Sequence, residues 1–335
     1  MLDDRKAAIL RAVVEEYIDT AQPVGSGHLA RSAGVDVSPA TIRNEMAALE
    51  RDGYLAQPHT SAGRVPTEKG YRFFVDALDS PGLLEAPQRQ QVRSFFARAH
   101  GELEQMLAET SRLLSNLTDH TAVVVRPGHD RATVRSTQLV PLAPRIALLV
   151  IVLSTGEVEK RTIEFPGEVG ERLVAAASAQ LAAHCAGRSI VEAVRLAPAP
   201  SGDSSTDDIV RGALTTLHPS ADDESDQVFV GGAARMADAF DAVQTVRRVL
   251  ELLEHQLVVV SLLHDVLDRG LTVAIGTETG LEPLAECAVV VAPYQVDGER
   301  AGTIGILGPT RMNYPQALAA VAVVSERLGD RLREG

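Results

Sequence analysis

Two short polar segments, SPATIRN (38–44) and PHTSAGRVPTEKGYR (58–72), hold the side chains of this 335-residue chain that are best suited to chemistry. In the first, Ser38 is placed to cap a helix and Pro39 to occupy its first turn. On a helical wheel Ile42, Met46 and Leu49 share one face, while Ala40, Thr41, Arg43 and Asn44 point elsewhere. Small residues allow the helix to approach a partner closely. Arginine matches guanine O6 and N7, asparagine matches adenine N6 and N7, and a helix start aims backbone N–H groups at phosphate. In the second segment the tip around His59, Thr60, Ser61 and Arg64 lacks any bulky apolar residue, so core packing does not account for it. Those four side chains, with Lys69 and Arg72 on the helix that follows, are donors for the backbone or minor groove of double-stranded DNA. Taken singly, the helix also fits a solvated face and the hairpin an ordinary exposed turn. Their order in the chain favours the DNA reading.

The elements that position these residues are compact. Ala8, Ile9, Ala12, Val13, Tyr17 and Ile18 recur at helical spacing between Asp4 and Ile18. TAQPVGS (20–26) breaks that helix, Ser26 is placed to cap a short second one, and Gly34 to end it. The third helix runs from Ser38 to Gly53. Short strands YLAQP and RVP then flank the polar tip, and Thr67 caps a new helix. Ile9, Val13, Leu29, Ile42, Met46 and Leu49 form the expected core of this head, residues 1–78. Three helices followed by a two-stranded hairpin is the order of a winged helix-turn-helix.

Residues 79–88, DSPGLLEAPQ, have linker composition. A stripe of apolar residues from Val92 to Leu117 predicts helix, split near Gly101, either as a dimer-forming element or as the first helix of the next domain. Strand-like stretches follow from Thr121 to Phe165, then Ala-rich helical segments between about Glu171 and Leu217. A further strand, QVFVGG, helices to Arg269, three more strands and a helix from about Tyr314 to Arg333 complete the chain. One mixed antiparallel sheet framed by helices and interrupted by a helical insertion predicts an α+β fold. The run IALLVIVL (146–153) is far too short to span a membrane and reads as a buried strand.

Composition narrows the function classes. A net charge of −13 argues against coating nucleic acid by bulk attraction, although site-specific binding depends on where the cations sit. Two cysteines make no disulfide framework and suit a reduced, cytoplasmic setting, and the N-terminus lacks the apolar run of a signal peptide. No Cys-x-x-Cys or H-x-x-x-H grouping points to a metal, and no G-x-S-x-G elbow surrounds a serine. No catalytic residue, metal or cofactor is expected. His184 and Cys185 are sequence neighbours that face apart on a helix. Gly302, Gly305 and Gly308 lie within an apolar strand, where a bulge or close packing explains them better than a phosphate loop. GPTRMNYP (308–315) reads as a strand-to-helix turn, with Asn313 as its cap and Arg311 as a possible brace between domains.

PVGSGHLA, VSPATIRNEMAALERDGYLAQPHTSAGRVPTEKGYRFFVD and the downstream GTIGILGPTRMNYP resemble, in order, the family of the heat-inducible transcription repressor HrcA. The resemblance implies an N-terminal winged helix-turn-helix (1–78), a linker (79–88), a GAF-like domain in two segments (89–140 and 225–335), and a dimerisation domain inserted at 141–224. It also implies a homodimer that binds an inverted-repeat operator, represses chaperone operons, is released on heat stress and is sustained by chaperonin. An alternative is a metabolite-sensing transcription factor whose GAF-like domain binds a small molecule; few convergent polar side chains among the apolar strands weigh against a polar ligand.

Overall fold

The computed structural model describes the chain except residues 1, 32–36, 60–61, 79–81, 99–102, 127–132, 155–157, 218–225, 236–239, 241–242, 271 and 335. The head begins with α1 (Asp4–Thr20), whose N-cap Asp3 accepts a hydrogen bond from Lys6 N. α3 (Pro39–Arg51) packs against it, and α2 (Ser26–Leu29) packs against α3. Gly25 rather than Ser26 is the N-cap of α2, and Ser26 is its first helical residue. Strands β1 (Leu55–Ala56) and β2 (Val65–Pro66) form an antiparallel hairpin, followed by α4 (Glu68–Asp76) with Thr67 as its cap. All six expected core residues are buried. Gly34 lies outside the described residues.

The body is a three-layer sandwich. Its five-stranded, wholly antiparallel sheet has the order β7 (Gln227–Gly231), β3 (Thr121–Arg126), β10 (Glu299–Pro309), β9 (Cys287–Val296), β8 (Val273–Ile275). Side chains alternate between faces, as strand geometry requires. Ala122, Val124, Val290, Ile304 and Ile306 face α5 (Ala86–Arg98), α6 (Leu103–Thr118) and the final helix α12 (Tyr314–Glu334). Val123, Val125, Val289 and Val291 face α10 (Val243–Glu254) and α11 (Gln256–Asp268). The expected break at Gly101 falls among the undescribed residues between α5 and α6.

The glycines of β10 serve packing. A Cβ on Gly305 would lie 2.9 Å from Leu263, and one on Gly302 would lie 2.4 Å from Val125 O. The pairing with β9 also shifts register between Arg300 and Gly302, a bulge.

The strands do not form one sheet. β4 (Val134–Ala143), β5 (Ile146–Leu153) and β6 (Val158–Glu164) make a separate three-stranded antiparallel sheet, with a core of its own against α7 (Glu171–Cys185), α8 (Ile190–Arg195) and α9 (Ser204–Thr215). Sequence pattern describes each strand's faces but not which strand lies beside it. The division drawn at 140/141 therefore falls inside β4. β5 is buried on one face only: Ala147, Leu149, Ile151 and Leu153 point to the helices, while Leu148, Val150 and Val152 remain partly exposed. This second unit leaves from β3 and returns into β7, which pair as direct neighbours (Val125↔Val228, Arg126↔Gln227). It thus occupies the loop of what is otherwise a hairpin.

Candidate nucleic-acid interface

The third helix is anchored from within. Thr41 N donates to Ser38 Oγ at 3.2 Å, the two hydroxyls lie 3.0 Å apart, and Pro39 occupies the first turn. Ser38 and Thr41 therefore spend their hydroxyls on the cap. Ile42, Met46 and Leu49 are buried, which leaves Ala40, Arg43 and Asn44 exposed along the outer face. Arg43 and Asn44, the arginine and asparagine expected to read bases, are thus both exposed there.

The hairpin is tied to that helix. Val24, in the turn before α2, exchanges both backbone hydrogen bonds with Arg64 at 2.9 Å, adding a bridge beside β2. The Arg64 Nε donates to Glu50 Oε2 of α3 at 2.8 Å. A Cβ on Gly63 would lie 2.3 Å from Val24 O, so that crossing requires glycine. At the tip His59 is exposed and its carbonyl accepts from Ala62 N. Thr60 and Ser61 lie outside the described residues.

The remaining cations of the second segment differ: Lys69 is exposed, and Arg72 turns inward. Lys69 Nζ donates to Asp52 O at 2.8 Å and sits 4.2 Å from the centroid of the Tyr54 ring. Arg72 faces the body: its guanidinium donates to Glu278, to Val273 O at 2.8 Å and to Asp76 at 3.3 Å. Burial pushes the Glu278 carboxyl up, but hydrogen bonds from Arg72 and from Ile275 N outweigh it and hold the group below its ordinary value. The structure thus leaves Arg43 and Asn44 exposed on α3, leaves Lys69 exposed with one hydrogen bond to Asp52 O, and commits Arg64 and Arg72 to the frame. Arg64→Ala is expected to destabilise the head by about 1 kcal/mol, because its ion pair is partly exposed, and to leave the salt dependence of DNA binding unchanged. Thermal melting and a salt titration check both halves; a flattened salt slope would return Arg64 to the phosphates.

Arg311 and Asn313 sit where the head meets the body. Asn313 Oδ1 accepts from Gln316 N at 3.1 Å and caps α12. Arg311 lines a cleft of about 540 Å³ together with Ile18 and Asp19 of α1 and with His120 and Arg235 of the body. Sequence reasoning missed the bridge of Val24 to Arg64 and the contact of α4 with Thr277 and Glu278. No local signal could have revealed pairings between residues 40 positions apart in the first case and more than 200 in the second.

Among the described residues no helix is long and apolar enough to cross a membrane, and no group of three or more His, Cys, Asp or Glu could hold a metal ion.

The profile of the family described as "HrcA protein C terminal domain" matches residues 104–318. Proteins named heat-inducible transcription repressor HrcA align end to end. That of Streptomyces avermitilis is 40% identical with 100% of both chains covered. That of Acidothermus cellulolyticus is 42% identical, also over 100% of both, and that of Mycobacteroides abscessus is 38% identical over 98% of each. A crystal structure described only as that of a hypothetical protein shares the fold, with a TM-score of 0.66 at 23% identity over 100% of this chain and 99% of that one. The relatives cover the head that the family profile omits, and with it the capped helix carrying Arg43 and Asn44. The chain belongs to the HrcA family of heat-inducible transcription repressors.

Proposed function

We propose that this protein is a dimeric repressor of chaperone operons, whose two heads engage the half-sites of an inverted-repeat operator in the cytoplasm. Residues 1–78 act as a winged helix-turn-helix, with α3 in the major groove and the β1–β2 hairpin as the wing. The observation that carries this reading is the exposed Arg43–Asn44 face on a helix fixed by its own cap and core, in a chain aligned end to end with repressors. Arg43→Ala or Asn44→Ala is expected to cost about 1–3 kcal/mol on the operator while changing non-specific binding less. Equal losses on operator and random DNA would remove base reading from α3.

The five-stranded sheet and its helices serve as a GAF-like body, and residues 134–217 as the dimerisation unit inserted into it. An open, partly apolar sheet face supports that role. Opposite its helices the three-stranded sheet shows Leu148, Val150 and Val152, flanked by Leu142 at 59% and Val158 at 48% exposure. A second copy covering this face would satisfy both sheets at once, as two-fold interfaces do.

Heat releases the repressor and chaperonin sustains it. A gel shift on the region upstream of the host's own chaperone operon, with and without chaperonin, tests both statements. The metabolite-sensing alternative has weaker support. The cavity in the core between the sheet and α11, lined by Val123, Leu263, Val289 and Leu307, measures about 10 Å³, no more than one water needs. If a protein-free cell filtrate rather than chaperonin restored operator binding, the sensing reading would replace this one.

A further inference from the structure

We propose that Glu278, with Thr277 beside it, is a positioning residue for operator recognition: the body's docking point that holds the head in one orientation. This inference rests on the operator-binding reading above.

The contact is built from both sides. Glu68 and Arg72 lie one turn apart on α4 and so share a helical face. Opposite them, the turn after β8 presents three successive residues. The Glu68 carboxylate accepts from Thr277 N at 3.2 Å and from Thr277 Oγ1 at 2.6 Å. The Arg72 guanidinium donates to both carboxylate oxygens of Glu278 and to Val273 O, a forked pairing that fixes angle as well as distance. Glu278 is itself held in place, because its carboxylate also accepts from Ile275 N at 2.9 Å. Gly276 adopts φ +55, and a Cβ there would fall 2.2 Å from the Glu68 carboxylate. Backbone conformation and lack of a side chain both let the turn reach α4.

Apolar packing continues the contact. Tyr71 of α4 meets Tyr314 of α12 with ring centroids 6.0 Å apart. The buried residues of head and body, among them Ile9, Phe74, Leu114 and Val324, form one continuous cluster. Docking leaves the reading face open: Arg43 and Asn44 remain exposed while α4 is engaged. The clamp therefore orients the head without masking it. In a dimer, two clamped heads keep a defined separation. Two tethered heads would not.

Glu278→Gln removes the charge facing Arg72 while keeping an oxygen for Ile275 N. Spin labels on exposed Gln22→Cys of the head and Glu326→Cys of α12 report the head-to-body distance without DNA, since native Cys185 and Cys287 are buried. The expected result is a narrow distance distribution that broadens in E278Q, and less so in Thr277→Val. Operator affinity should fall by roughly tenfold, with a smaller penalty for a half-turn shift between half-sites, as rigid spacing gives way to a tether. In the same E278Q chain, without the label sites, a short bifunctional thiol reagent joining Glu68→Cys to Thr277→Cys should restore affinity and spacing preference together. An unbroadened distribution in E278Q, tighter operator binding by E278Q, or no recovery on cross-linking would each overturn the proposal. Wild-type protein with no operator preference, alongside a distribution that still broadens in E278Q, would overturn the repressor reading and support the clamp.

Discussion

An operator whose half-sites are moved apart by half a helical turn, about 5 base pairs, is expected to bind the full-length protein at least about a hundredfold more weakly. The expectation follows from how little one head can do alone. Residues 1–78 are net acidic by sequence, and two of their cations are committed to carboxylates: Arg64 to Glu50 and Arg72 to Glu278. Phosphate attraction from one head is correspondingly small. Affinity must then come from the second head, which binds at an effective concentration in the millimolar range once the first is seated. Half a turn carries the second half-site to the opposite side of the duplex, where an oriented head cannot reach it. Val150→Lys, placing a charge on the open face of the three-stranded sheet, should dissociate the dimer and produce a similar loss on the unshifted operator. Fluorescence anisotropy titrations on both duplexes, with sedimentation to follow the oligomer, measure these effects. Normal binding to the shifted operator would refute the two-headed mechanism.

The head was legible in sequence because its determinants are local. Ser38, Pro39 and the Ile42–Met46–Leu49 spacing lie within a dozen residues of one another, and each acts through neighbours along the same helix. The same holds for Thr67 above α4 and for Asn313 before α12. Arg72 marks the limit of that logic. A cation on a polar helix near a DNA-binding hairpin reads as a phosphate contact, yet its partner is Glu278, which only the fold brings to α4. Lys69 differs in kind: its partner Asp52 lies at the end of α3, and the pairing depends on the hairpin folding back.

Sheet organisation was hidden for a related reason. β3 is rich in Val and β5 in Val, Ile and Leu, and nothing in these apolar compositions assigns them to separate sheets. The assignment comes from pairing, with β3 between β7 and β10 and β5 between β4 and β6. Partial exposure of Leu148, Val150 and Val152 is equally invisible in an unbroken apolar run. A run apolar on both faces implies that something covers both. Here helices α7 to α9 cover one face, and the other is the face on which the proposed dimer would place a second copy.

Acidification is expected to destabilise this protein through His120, by about 2 kcal/mol at pH 5 relative to neutral pH. The residue follows α6 and leads into β3. Its imidazole lies against Gly308, where a Cβ would fall 2.9 Å from the ring, and its Nδ1 is shielded from water without a hydrogen-bond partner among the described residues. Burial is the main force lowering its pKa. Asp119 pulls the other way, Arg311 and Arg235 add to the lowering, and the result is a fall from 6.5 to about 4. The sign follows from proton counting. Between those two values the unfolded chain binds a proton that the folded chain refuses, so the stability present above pH 6.5 is lost as pH falls toward 4. Because His120 lines the cleft with Ile18 and Asp19 of α1, a charge forced onto it would arise where the head rests on the body. Urea denaturation of the wild type and of His120→Gln at pH 7.5, 6 and 5 isolates the effect. The depressed carboxylates Asp3, Asp203, Asp207 and Glu278, and Glu15, whose carboxyl burial pushes up, are common to both proteins and cancel in the comparison. The wild type should lose stability steeply across this range and the variant much less. Parallel pH slopes in the two proteins would show that His120 is not the group that titrates.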